Sequence, residues 1–235
     1  MKKLPLIALL ILLGAQFAPL FSQMVALSEE EQQDLQYMLE EEKLARDVYV
    51  ALNEKWDHLA FQKISASEER HFSSLKLVAQ NHNLSVPATV KKDQPGLFKN
   101  KELQARYNAF VTTGNQSLVA ALQVGAKIEE LDIKDLEAAQ SRTKNEQLKG
   151  LYTRLQTASE KHLRTFSLQL KQQGLDYTPV ILGQAEYDNI INQAKSQGKA
   201  CAGKGKGKGC CQGDKAKGKS GAGCGSGKAC CSGKQ

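Results

Sequence analysis

The chain has 235 residues, with 32 basic and 25 acidic side chains, a formal charge of +7 and six cysteines. The charge is unevenly placed: residues 197–235 hold nine lysines against one acid, Asp214, so the remaining body of about 170 residues is mildly acidic. That balance argues against nucleic-acid binding by the body, and the length suffices for one domain with a real core.

Residues 1–22 place Lys2 and Lys3 before a run of apolar residues. This is the pattern of a secretory signal, with Ser22 a candidate cleavage position, and it predicts an exported protein, periplasmic or secreted. The alternative is a retained N-terminal membrane anchor, which needs about 20 uninterrupted apolar residues. Pro5, Gln16 and Pro19 interrupt this run and favour cleavage.

Residues 23–196 read as helices throughout, with no convincing strand alternation. Ser28 followed by Glu31 is a capping box, and Leu35, Met38, Ala45, Tyr49 and Leu52 recur at helical spacing after it. A second helix is predicted from near Asp57 to about Gln80, with Phe61, Ile64, Leu75 and Val78 as its stripe. Pro87, Pro95 and Gly96 punctuate a connection over 81–96, and a shorter helix covers roughly 100–112. A third long helix begins near Asn115 or Ser117, with a break allowed at Asp132 or Asp135. A fourth spans Asn145 to Gln173 and stops at Gly174. Tyr177–Leu182 is expected to pack over the bundle, followed by one short helix over Glu186–Asn192. Four long amphipathic helices with one long crossover predict an all-α four-helix bundle.

The polar residues inside these stripes carry the chemistry. Phe61, Ile64, Glu68, His71, Leu75 and Val78 step by three and four, so Glu68 and His71 point with the core residues. A buried carboxylate costs several kcal/mol unless it is paired or bound to a metal. Glu42 falls between Met38 and Ala45, Glu129 and Asp132 follow Leu122 and Gly125, and Ser159 and His162 sit between Leu155 and Phe166. Alone, each is an ordinary surface or boundary residue, and the run Glu40–Glu41–Glu42 reads as a solvated face. Together they place a potential metal ligand on the core side of each long helix, as di-metal carboxylate bundles do.

The segments EEEKLARDVY (40–49), SEERHF (67–72), GAKIEELDIKDL (125–136) and SEKHLRTF (159–166) resemble the ferritin-like family known as domain of unknown function 2202. The resemblance covers roughly Leu27 to Asn192. More remotely, the chain is similar to rubrerythrin, through Glu42 before Ala45–Arg46 and through the Glu68–His71 pair. These resemblances imply a ferritin-like bundle with an iron or manganese centre held by Glu42, Glu68, His71, Glu129 and His162. They lend no activity from the closer family. One departure stands out: a complete di-iron site would have Glu three residues before His162, where this chain has Ser159. Glu160 is rotated about 100° away, so Asp132 is the candidate for the missing oxygen or for orienting a ligand. Tyr49 is expected to pack or to offer a supporting hydroxyl, and Arg46, Asp47 and Arg164 to form ion pairs around the site.

The tail is Gly, Lys, Ser and Cys with almost no large apolar residue, a composition that predicts disorder. It carries Cys201, Cys210, Cys211, Cys224, Cys230 and Cys231. Either these cysteines oxidise after export, or their thiolates, favoured by neighbouring lysines, bind Cu(I) or Zn(II). The tail's positive charge could also hold it to anionic envelope surfaces. Three functions fit the whole chain: a di-metal protein acting on dioxygen or peroxide, a non-enzymatic envelope metal sequestrant, or a metal-free helical interaction module.

Overall fold

The structure is a computed structural model that describes the backbone of residues 26–200 and the side chains of 26–193. The expected leader, and residues 201–235 of the tail with all six cysteines, lie outside the described residues. The described residues form α1 (Glu29–Trp56), α2 (Leu59–Asn81), α3 (Ala88–Lys91), α4 (Lys101–Gly114), α5 (Leu118–Arg142), α6 (Glu146–Gln172) and α7 (Gln184–Ala200), with no strand among them. No helix among them is long and apolar enough to cross a membrane.

Each long helix begins where a side chain can accept its first free amides. Ser28 and Glu31 complete the capping box of α1, His58 caps α2, Ser117 caps α5 and Asn145 caps α6. The start of α2 is thus two residues later than the sequence spacing suggested, because Asp57 adopts a left-handed conformation and closes α1. The allowed break in α5 does not occur: Ile133, Leu136 and Ala139 continue its buried face past Asp132. Gly174, at φ +81°, ends α6 in a conformation that costs glycine nothing. The final helix starts earlier and runs further than expected, to Ala200.

Contacts along α1 define the topology. Glu31 meets Thr143 at the end of α5, Tyr49 meets Gly125 and Glu129 in its middle, and Trp56 meets Gly114 just before its start. The two helices therefore run antiparallel. Only Asp57 and His58 separate α1 from α2, so α2 also opposes α1 and runs parallel to α5. Parallel helices need a crossover the length of the bundle, and α3 and α4 lie within it. The four long helices α1, α2, α5 and α6 make the bundle.

The interior is two apolar layers with a polar layer between them. One contains Leu44, Val48, Tyr49, Phe61, Ile64, Leu122 and Phe166, and the other Leu35, Met38, Leu39, Phe72, Leu75, Leu136 and Leu155. Between them on all four helices fall Glu42, Glu68, Glu129, Asp132, Ser159 and His162, every one buried. Gly125 lets α5 approach α6 beside this layer, since a Cβ there would stand 2.6 Å from the Phe166 ring.

Candidate metal centre

Glu68 is the hub of the polar layer. Its Oε2 lies 2.6 Å from His71 Nδ1 and its Oε1 lies 2.7 Å from His162 Nδ1. Glu42 Oε2 is 3.2 Å from His71 Nδ1, and Glu129 Oε2 is 3.5 Å from His162 Nδ1. Two triads result, Glu42–Glu68–His71 and Glu68–Glu129–His162, each with ligand atoms close enough to share one metal ion. The imidazoles stack with centroids 5.7 Å apart. The helix period explains the convergence: Glu68 and His71 are one turn apart on α2, and Ser159 and His162 one turn apart on α6.

The close approaches within the layer are not all hydrogen bonds. Neither oxygen of Glu68, nor Glu42 Oε1, nor His162 Nδ1 has an aligned hydrogen-bond partner, although all are buried. Buried polar atoms are almost always paired. Lone pairs that crowd together without a proton aligned between them suit a shared cation, so the residues present fit a metal ion.

The charges agree with that fit. Burial raises the Glu42 carboxyl well above its usual range, and Asp132 and Glu68 add to the rise. Burial likewise raises Glu129, with Glu68 adding to the effect, and Asp132 is pushed up to about 8 by burial, Glu129 and Glu68. Burial opposes the charge on Glu68 too, but His162 and His71 hold its carboxyl below its usual range. Burial disfavours charge on the histidines, yet the carboxylates around them push His71 up to about 11 and His162 up to about 10. The carboxylates repel one another; without a metal, charged histidines and carboxyl protonation offset the repulsion, and a bound cation would take over that role.

Supporting contacts surround the layer. Tyr49 is fully buried and donates to Glu129 Oε1 at 2.6 Å. Ser159 faces inward, fully buried, and donates to Asp132 Oδ2, which leaves Asp132 Oδ1 without a partner. Asp132 thus stands beside the position of the absent fourth glutamate. Arg46 forms ion pairs with Asp47, Glu69 and Asp93 and covers the Phe72 ring, tying α1 to α2 and the crossover. Arg164 lies 3.9 Å from Glu160 and donates to the Ile190 carbonyl.

Three acids are buried that sequence reasoning left outside. The run Glu40–Glu41–Glu42 is not a solvated face: Glu40 accepts the amides of Lys99 and Asn100 before α4, and Glu41 lies 3.8 Å from Arg106. Glu130 accepts from Tyr177 and from the amides of Val180, Ile181 and Leu182, anchoring the chain after α6. Nothing in the sequence distinguishes these acids from surface ones, because their partners lie 47 or more residues away.

Comparison with known proteins places the chain. The family described as "Uncharacterized protein domain (DUF2202)" matches residues 31–194. The uncharacterized protein MJ0754 of Methanocaldococcus jannaschii is 41% identical over 172 residues, which cover 73% of this chain and 92% of that protein. The crystal structure of hypothetical protein MJ0754 matches with a TM-score of 0.69, covering 72% of this chain and 95% of that one. The chain belongs to the DUF2202 family.

Proposed function

We propose that this DUF2202 protein is an exported, ferritin-like di-metal protein that holds iron or manganese and acts on dioxygen or peroxide. The observation that carries the reading is Glu68, a carboxylate with one oxygen toward each histidine and no hydrogen-bond partner for either. Glu42 and His71 would complete one position, and Glu129 and His162 the other. A pair of such ions would supply one-electron redox steps to an oxygen substrate. The chain's own part is to position and to shield. Tyr49 fixes the rotamer of Glu129, Ser159 fixes Asp132, and the apolar layers above and below exclude water from the carboxylates. Export rests on the leader pattern in residues 1–22, and the tail cysteines are a separate candidate for soft cations.

The test is metal content. Protein loaded anaerobically with Fe(II) or Mn(II) and desalted should retain two ions per chain. The pair Glu68→Ala and His71→Ala should remove most of them and leave helical circular dichroism unchanged. Wild-type protein that keeps no metal would leave the interaction-module reading in its place, and full occupancy in the double variant would move the site elsewhere.

A further inference from the structure

The polar layer is closed on its carboxylate side and open on its histidine side. The side chains of Glu42, Glu68 and Glu129 are 1–2% exposed, while those of His71 and His162 are each 11% exposed. The opening is a cleft of about 550 Å³ between α2 and α6, with His162 in its lining. Lys63, Ser67 and Arg70 line it from α2, and Thr165 and Gln169 from α6. Each set recurs at helical spacing, so each is one polar strip. The two helices meet through Phe61 and Phe166 and through the Glu68–histidine layer. Leu59, Ala60 and Ile64 complete the α2 wall, and the polar residues facing them leave the gap beside those contacts.

The cleft carries charge and reaches the histidines of the polar layer. Lys63 and Arg70 are exposed and have no carboxylate partner among the described residues, and Asp57 is the one acid in the lining. On the α2 wall Ser67 Oγ lies 3.5 Å from His71 Nε2, the imidazole nitrogen turned away from the carboxylates. A concave site with convergent polar groups suits a small ligand, and unpaired cations at its mouth concentrate anions there. Two divalent ions would also offset the charge of Glu42, Glu68, Glu129 and Asp132, so an anion arriving there would meet no net repulsion.

We propose that the α2–α6 cleft is the doorway through which small anions reach the metal centre, with Lys63 and Arg70 steering them and Ser67 lining the last step. This rests on the metal-centre reading, and the experiment separates the two. The probe is azide, added to iron-loaded, air-oxidised protein and followed by its charge-transfer absorption, with iron content measured on the same samples. The variant Lys63→Glu with Arg70→Glu should slow azide association about tenfold at low ionic strength, and the difference should shrink as salt is added. Ser67→Phe, or Thr165→Phe on the opposite wall, should slow association at every salt concentration without loss of iron. Charge reversal at two exposed positions spares the packing, so it decides the question if a plugging variant loses iron. Wild-type protein that loads no iron overturns the centre and the doorway together. Iron-loaded protein whose azide association ignores the charge reversal and both plugs overturns the doorway alone.

Discussion

The Tyr49 hydroxyl on α1 donates to Glu129 Oε1 on α5 at 2.6 Å, and its ring packs 5.3 Å from that of Phe166 on α6. One side chain thus couples the apolar layer of Phe61 and Phe166 to a candidate ligand. Tyr49→Phe keeps the ring and removes the bond. The bundle should fold normally, while metal affinity, read by competition with a chelator, should fall about tenfold, as it does when the partner of a ligand is lost. Unchanged affinity would show that Glu129 needs no orientation from Tyr49.

Ser159 tests the fourth wall of the centre. It is fully buried and bonded to Asp132, so Ser159→Glu places another carboxylate among Glu42, Glu68, Glu129 and Asp132. Overpacking alone costs about 1–3 kcal/mol, and like charges add to it. The metal-free variant should melt below wild type, and its Tm should rise more than that of wild type when Fe(II) or Mn(II) is added. A variant equal to wild type in both states would remove position 159 from the site.

Glu31 sets a pH dependence outside the polar layer. Its carboxylate accepts from the Ser28 amide at one end and from Thr143, Lys144 and Asn145 at the other, so it fastens the start of α1 to the α5–α6 turn. Burial opposes its charge, but the Thr143 hydroxyl and the amides of Ser28, Lys144 and Asn145 lower its pKa from 4.5 to about 2. A depressed folded pKa means the stabilisation is complete above the unfolded value and is lost as pH falls from 4.5 toward 2. Glu31→Gln should cost about 2 kcal/mol in urea unfolding at pH 7. The gap to wild type should narrow in measurements near pH 3, and a gap independent of pH would contradict the assignment.

The helices of this protein are legible in the chain because their causes are local. Ser28 and Glu31 cap α1 within one turn, Asn145 caps α6, and Gly174 ends it. The period of three and four also put Glu68 and His71 in phase with Phe61 and Leu75, so their inward direction could be read before any fold was known. What a period cannot supply is the partner. Glu41 and Glu130 look like solvated acids beside Glu42 and Glu129, and whether an acid is buried depends on what another helix brings against it. Arg46 and Arg164 pair with near neighbours, Asp47 and Glu160, but their further partners Asp93 and the Ile190 carbonyl come from distant segments that no period announces. Phase along each helix was set by the sequence; the tertiary packing alone decided that Glu68 faces both histidines and that α2 and α6 part beside them, because those distances arise only when four helices close on one another.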